Sequence, residues 1–255
     1  MNRYIFTALL LCGAVSLYAP AAFAQDAVSI LSAAKNRIET ETISSRSRMV
    51  ITARNGSTRE LLIDQFSKDG PNGARTVIEF LHPANVAGTR FLNMDNAAGG
   101  TDQWMYLPGL GRAQRIEAAE NRGNFMGTDF SFNDISLMDR DVSLDNHSLL
   151  REEMLNGRLC YVVQSLPKSS YQYSRTLTWV DKERYIIYKA EMHNSNGAQK
   201  IIEMSDFRDI QGHLSPMQTK ISTVAAGTST TIFMEILRYN APIPDAVFSP
   251  AYLER

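Results

Sequence analysis

Catalysis needs nucleophiles, acids, bases or metal ligands within bonding reach of one another. The four histidines, His82, His147, His193 and His213, lie far apart in the chain. None falls in a His-Glu-x-x-His or another close metal-binding spacing. There is no Gly-x-Ser-x-Gly nucleophile elbow. Gly109-Leu110-Gly111 opens a Gly-x-Gly, but Gln114 stands where a third glycine would be and Pro108 precedes it, so it reads as a turn. Asp129-Phe130-Ser131-Phe132-Asn133-Asp134 alternates polar residues. It lacks the central glycine and the closing glutamate of a calcium loop, so it reads as an ordinary loop. Asn55-Gly56-Ser57 and Asn146-His147-Ser148 match glycan acceptors, a pattern common by chance. The sequence therefore predicts no catalytic residue, no metal site and no cofactor, and it is read as a non-enzyme.

The unusual clusters are apolar. Trp104-Met105-Tyr106-Leu107-Pro108 puts bulky residues on both faces of a strand end. Phe125-Met126-Gly127-Thr128-Asp129-Phe130-Ser131-Phe132 sets three aromatics in a segment with no strand period. Such rings can plug one end of a sheet as core, or they can line the mouth of an apolar cavity. The pattern alone leaves both readings open.

Composition narrows the class. Of 255 residues, 44% are hydrophobic and 21% charged, with 26 basic against 27 acidic side chains. That is a globular balance, and it lacks the basic excess that nucleic-acid binding draws on. Residues 1–24 read as a secretory signal peptide. Arg3 gives the positive start, Tyr4 to Ala19 is uncharged, Pro20 breaks the run, and Ala22-Phe23-Ala24 supplies the small-x-small cleavage pattern. The run is shorter than the roughly 20 residues of a membrane span. Cys12 follows Leu9-Leu10-Leu11, which is no lipidation signal. A cut after Ala24 leaves residues 25–255, read as one domain. Cys160 is then the single cysteine, in the apolar run Leu159 to Val163, where a buried, inert thiol is expected.

Positioning falls to a long series of strands. Asp26 to Thr40 has helical spacing, with Val28, Leu31, Ala34 and Ile38 on one stripe. From Thr42 the period changes to two. Strands are predicted over Thr42–Arg54, Ser57–Lys68, Arg75–Leu81, Thr89–Asp95, Gln103–Leu107 and Arg112–Glu117. They resume over Leu149–Leu155, Arg158–Leu166, Ser174–Val180, Arg184–His193, Gln199–Ile210, Met217–Val224 and Thr230–Tyr239. Asn55-Gly56 and Asn156-Gly157 predict tight hairpin turns with both central residues at positive φ. Asn121 to Met138 is predicted as a long ordered loop with a helical turn near Asn133–Leu137. Pro242, Pro244 and Pro250 mark a non-strand tail. With no room for crossover helices, about ten to eleven strands form a sequentially connected antiparallel sheet. A single helix cannot cover it. The sheet must close on itself or keep a concave apolar face.

The order and spacing of Gln103-Trp104-Met105-Tyr106-Leu107-Pro108, Arg112, Arg115-Ile116, Phe125-Met126-Gly127-Thr128-Asp129-Phe130-Ser131 and Asp134 resemble the outer membrane lipoprotein-sorting protein family. That family is related to the LolA/LolB-like periplasmic lipoprotein carriers. The resemblance spans about residues 26–255. It implies a curved antiparallel half-barrel of about eleven strands, with an N-terminal helix packed on the concave face over an apolar cavity for acyl chains. It further implies a periplasmic carrier of lipid or lipoprotein acyl chains with transient membrane contact. A transporter of the resistance-nodulation-division type, or an outer-membrane receptor, would be its partner. A periplasmic adaptor or sensor that binds and regulates a membrane protein is the alternative. The expected cavity residues are Phe91, Met94, Trp104, Tyr106, Phe125, Met126, Phe130 and Phe132. Arg112, Arg115 and Arg122 are expected to meet head groups or a partner, with Asp129 and Asp134 pairing with arginines or capping the helical turn. The leading helix and the Asn121–Met138 loop are expected as lids, with Gly123 and Gly127 as hinges.

Overall fold

A computed structural model describes residues 20–98, 100–117, 123–137 and 140–255. Helix α1 (Pro20–Lys35) comes first. Six strands follow: β1 (Thr42–Thr52), β2 (Thr58–Gly70), β3 (Gly73–His82), β4 (Arg90–Asp95), β5 (Thr101–Leu107) and β6 (Arg112–Arg115). A connecting segment carries the short helix α2 (Phe132–Leu137). Seven more strands complete the sheet: β7 (Asp145–Leu155), β8 (Arg158–Pro167), β9 (Arg175–Asp181), β10 (Ile187–Asn194), β11 (Gly197–Ile210), β12 (His213–Thr223) and β13 (Thr228–Tyr239). A tail ends in the one-turn helix α3 (Pro250–Leu253).

All thirteen strands form one open antiparallel sheet, in the order β6-β5-β4-β3-β2-β1-β13-β12-β11-β10-β9-β8-β7. Two expectations are corrected here. There are thirteen strands rather than about eleven, because every one of the thirteen segments with a strand period pairs with a neighbour, down to the four-residue β6. The sheet is also not sequentially connected throughout. β6 and β7 lie at opposite edges, and β1 pairs with β13 in the middle, Met49 opposite Ile232. The chain between β6 and β7 must therefore cross a face of the sheet, and this is the work of the segment that lacks a strand period.

The pairing register separates two faces. On the concave face, Leu61, Met49 and Ile232 align, and beside them Ile202 and Ile221. Phe80, Phe91, Phe125 and Phe130 complete this main core. On the opposite face the tail packs Ile243, Phe248 and Leu253 against Val77 and Leu92. Lys68 and Arg75 reach Asp245 at 3.0 and 2.9 Å, and Arg90 donates to Leu253 O at 2.9 Å, so the tail is tied by charge as well as by apolar contact.

Helix α1 ends at Lys35 rather than near Thr40. Beyond it Arg37 donates to Leu214 O at 2.7 Å and the Glu41 amide to Asn240 Oδ1 at 2.9 Å, which draws the chain down onto the sheet. Ala27, Ile30, Leu31 and Ala34, spaced one helical turn apart, pack against Val163 and Val180. Those two residues share the concave face with Ile202, so the helix lies on that face as expected. Asn156-Gly157 forms the predicted turn, with φ of 50° and 79°. Asn55-Gly56 does not, since only Gly56 has positive φ. The Ala53 amide instead bonds Ser57 O across a three-residue loop. Gln211-Gly212, with φ of 54° and 85°, makes a tight turn that its composition does not advertise. Cys160 is fully buried on the tail's face of the sheet, and burial pushes its thiol up.

Candidate functional site

The concave face is roofed at two places and hollow between. α1 lies over the β7–β9 end. The crossing segment, 123–137, lies over β1–β4. Within it, the Phe125 amide donates to Phe130 O at 2.7 Å and the Thr128 amide to Phe125 O at 2.9 Å. Met126 and Gly127, at φ of 51° and 68°, turn the chain between them. Arg59 Nη2 donates to Met126 O at 2.8 Å and lies beside Gly127, where a Cβ would make the guanidinium shift.

Two buried carboxylates bolt this roof down. Asp129 accepts from the Thr223 and Thr230 hydroxyls at 2.6 and 2.8 Å and from Thr228, all on the β12–β13 hairpin. Asp134 accepts from the Ser131 amide at 2.7 Å, Gln172 Nε2 at 2.8 Å, the Tyr173 hydroxyl at 2.7 Å and Lys200 Nζ. Its own amide donates to Ser131 Oγ at 3.1 Å, a reciprocal cap on α2. The capping expectation for Asp134 therefore holds, while the arginine partners do not. Among the described residues the charged partner of Asp134 is Lys200, and Asp129 has only hydroxyls. Burial, with the Asp134 charge nearby, pushes the Tyr173 phenol up. Burial lifts Tyr171 to about 12. Both phenols are neutral at neutral pH, and Tyr173 donates to Asp134.

Under the crossing segment is a hollow of about 310 Å³, lined by Met49, Ile63, Ile78, Phe125, Phe130 and Ile135. Between α1 and strands β7–β11 is a larger one of about 1120 Å³. Its apolar lining includes Leu31, Ala34, Ile187, Ala190, Ile202 and Met204. Both hollows touch Thr40, Glu41, Ile43 and Asp69, so they adjoin along the stretch that joins α1 to β1. Ser165, Thr176, Thr178 and His147 form a polar strip on the β7–β9 side. His147 Nε2 lies 2.7 Å from Val142 O, so it carries a proton, and Nδ1 faces Ser165 Oγ at 2.8 Å. Charged residues stand at the rim: Lys35, Glu39, Glu41, Asp69, Arg140, Asp141 and Asp145. Hydrogen bonds from Ser143 hold the Asp141 carboxylate below its usual range. Among the described residues no group of three or more His, Cys, Asp or Glu side chains is placed to hold a metal ion.

The sheet's alternation sorts the residues singled out from sequence. Phe91, Phe125, Phe130, Phe132 and Met126 gather on the concave face, the Phe91 and Phe125 rings 5.0 Å apart and those of Phe125 and Phe132 5.3 Å apart. Of these, Phe125 and Phe130 line the smaller hollow. Met94, Trp104 and Tyr106 lie on the opposite face, under the tail. They do not line either hollow, because a strand turns neighbouring residues to opposite sides and Phe91 and Met105 take the concave positions. Arg112 and Arg115 stand on the edge strand β6, with Arg115 paired to Asp102. Arg122 lies outside the described residues. Sequence reasoning missed the larger hollow's floor, Ala190, Ile202 and Met204. Alternation in β11 marks Ile202 and Met204 as one face, but nothing local separates a packed face from a hollow one.

A family model described as an uncharacterized protein matches residues 72–255. No curated protein matches the chain. Among solved structures, a DUF1329 family protein from Desulfovibrio piger ATCC 29098 is 26% identical, with a TM-score of 0.85 over 91% of this chain and 99% of that one. A domain from Vibrio parahaemolyticus named for outer membrane lipoprotein sorting is 24% identical, with a TM-score of 0.84 over 91% and 100%. A LolA superfamily protein from Nitrosomonas europaea is 20% identical, with a TM-score of 0.71 over 89% and 98%. The last two likenesses concern the fold.

Proposed function

The chain belongs to the family whose model matches residues 72–255, and because it has the fold of a LolA superfamily protein with a hollow concave face, we propose that it is a periplasmic carrier that shields lipid or lipoprotein acyl chains on their way towards the outer membrane. The observation that carries this reading is the larger hollow. Its volume of about 1120 Å³ exceeds the roughly 300–1,000 Å³ of a small-molecule site. Ile187, Ala190, Ile202 and Met204 give its floor an aliphatic surface, and the charged side chains stay at the rim.

The driving force is the cost of holding hydrocarbon in water, about 0.8 kcal/mol per methylene. By that figure one long chain represents on the order of 10 kcal/mol. A protein that buries it removes the barrier to crossing an aqueous compartment. Met204 in the floor suits cargo of varied shape, because its unbranched side chain re-packs easily. Release needs a roof that moves. α1 and the 123–137 segment are the two movable covers, and Gly127 is the hinge position in the second. Export through a signal peptide cut after Ala24, in a mature domain of residues 25–255, brings the carrier to the periplasm. Hand-over to a transporter of the resistance-nodulation-division type or to an outer-membrane receptor is the onward step of this reading.

The test is extraction of the exported, purified protein with organic solvent and mass spectrometry of the extract. Stoichiometric lipid is the expected result. Protein free of lipid that also fails to take up any added alkyl chain would overturn the proposal.

A further inference from the structure

The rim of the larger hollow has a one-sided charge. Among the described residues, five carboxylates stand there, on Glu39, Glu41, Asp69, Asp141 and Asp145, against two cations, Lys35 and Arg140. Both cations are already engaged by the protein. Arg140 holds Asp145 through Nη2 at 2.7 Å and Nε at 3.2 Å, and its guanidinium lies 4.3 Å over the Tyr171 ring. Lys35 Nζ donates to Arg140 O at 3.4 Å. Asp145 is neutralised in this way. Glu39, Glu41, Asp69 and Asp141 form no ion pair among the described residues. All four are exposed at the rim.

The smaller hollow repeats the pattern. Its lysine, Lys68, is held by Asp245 at 3.0 Å and donates to Ile243 O at 3.2 Å. The nearby Lys200 is spent on Asp134. His147 uses both ring nitrogens on Val142 O and Ser165 Oγ. Among the described residues, Arg140, Lys68 and Lys200 are each paired with a carboxylate, which leaves Lys35, already bonded to Arg140 O, facing the four rim carboxylates Glu39, Glu41, Asp69 and Asp141. The arginines of β6, Arg112 and Arg115, line neither hollow.

An amphiphile bound with its chain on the aliphatic floor has its polar end at this rim. We infer that the cavity selects amphiphiles whose polar end is neutral or cationic, and disfavours those ending in a carboxylate or phosphate. This rests on the carrier reading above and names its cargo class. The four carboxylates repel an anionic head over about a Debye length, roughly 8 Å at physiological salt. They cost an uncharged head nothing and attract an amine.

Three ligands of one chain length separate the cases: dodecylamine, dodecanol and dodecanoate, titrated by native mass spectrometry and calorimetry near neutral pH. The amine and the alcohol are expected to bind at least about tenfold more tightly than the carboxylate at low salt, with the gap narrowing as salt screens the rim. The variant Glu39→Gln, Glu41→Gln, Asp69→Asn, Asp141→Asn is expected to close the gap by raising dodecanoate affinity towards that of dodecanol. Carboxylate binding equal to or tighter than alcohol binding at low salt would overturn the inference and leave the carrier reading standing. So would a gap that survives in the neutralised variant. Failure of all three to bind would overturn the carrier reading and the inference with it.

Discussion

Asp134 and Lys200 offer a quantitative test of how the roof is held. The Asp134 side chain has no exposed surface and that of Lys200 is 12% exposed, so the pair is shielded from water. Asp134→Asn keeps the shape but leaves the Lys200 ammonium buried without a counter-charge. Breaking a buried pair from one side costs about 3–5 kcal/mol. Lys200→Met leaves a buried carboxylate, still satisfied by Ser131, Gln172 and Tyr173, so its cost sits near the lower end, about 3 kcal/mol. The double variant has no stranded charge. It loses only hydrogen-bond quality around the substituted carboxylate, about 1–2 kcal/mol. The two single costs together therefore exceed that of the double variant by at least about 4 kcal/mol. Urea unfolding read by circular dichroism, with midpoints compared at constant slope, measures all three variants. Single costs below about 1 kcal/mol, or costs that simply add in the double variant, would refute the reasoning.

Three further outcomes are expected. Phe125→Ala removes a ring that meets Phe80, Phe91 and Phe132 at 5.6, 5.0 and 5.3 Å. It should cost about 3–5 kcal/mol in guanidinium unfolding. Asp129→Ala strands the hydroxyls of Thr223, Thr228 and Thr230. A loss of about 1–3 kcal/mol is expected, with faster amide exchange at 125–131 and little change in β1. Hydrogen bonds from Lys68 and Arg75 hold Asp245 below its ordinary value of 3.8. Its folded value is depressed, so the tether is fully present above the unfolded value and is lost as pH falls through the depressed one. Hydrogen exchange corrected for intrinsic rate should show the 243–255 tail loosening only below about pH 4, and Asp245→Asn should remove that pH dependence.

The alternating runs are legible where a strand has one face packed and the other open, as in β1, so apolar residues recur at every second position. Asn156-Gly157 is legible because both residues tolerate positive φ. Topology is less so. The pairing of β1 with β13 depends on where the crossing segment goes, and no local pattern in either strand reports it. The concave aromatics Phe91, Phe125 and Phe130 follow from composition and order. Trp104 and Tyr106 look equivalent to them in sequence, and only register puts these two on the far side, under the tail. The Asp134–Lys200 pair joins residues 66 positions apart. Like the rim charges, it comes together only in the closed fold.

The central claim is that the larger hollow holds hydrocarbon. A homologous series of straight-chain alcohols, titrated by calorimetry into the protein and into its Ala190→Trp variant, tests it most directly. Ala190 lies in the floor of that hollow. Affinity is predicted to rise about fourfold with each added methylene, the equivalent of about 0.8 kcal/mol, until the space is full. The indole is predicted to displace about three methylenes, weakening long chains about 50-fold while leaving thermal stability unchanged. Affinity that does not depend on chain length, or that the tryptophan leaves untouched, would contradict it.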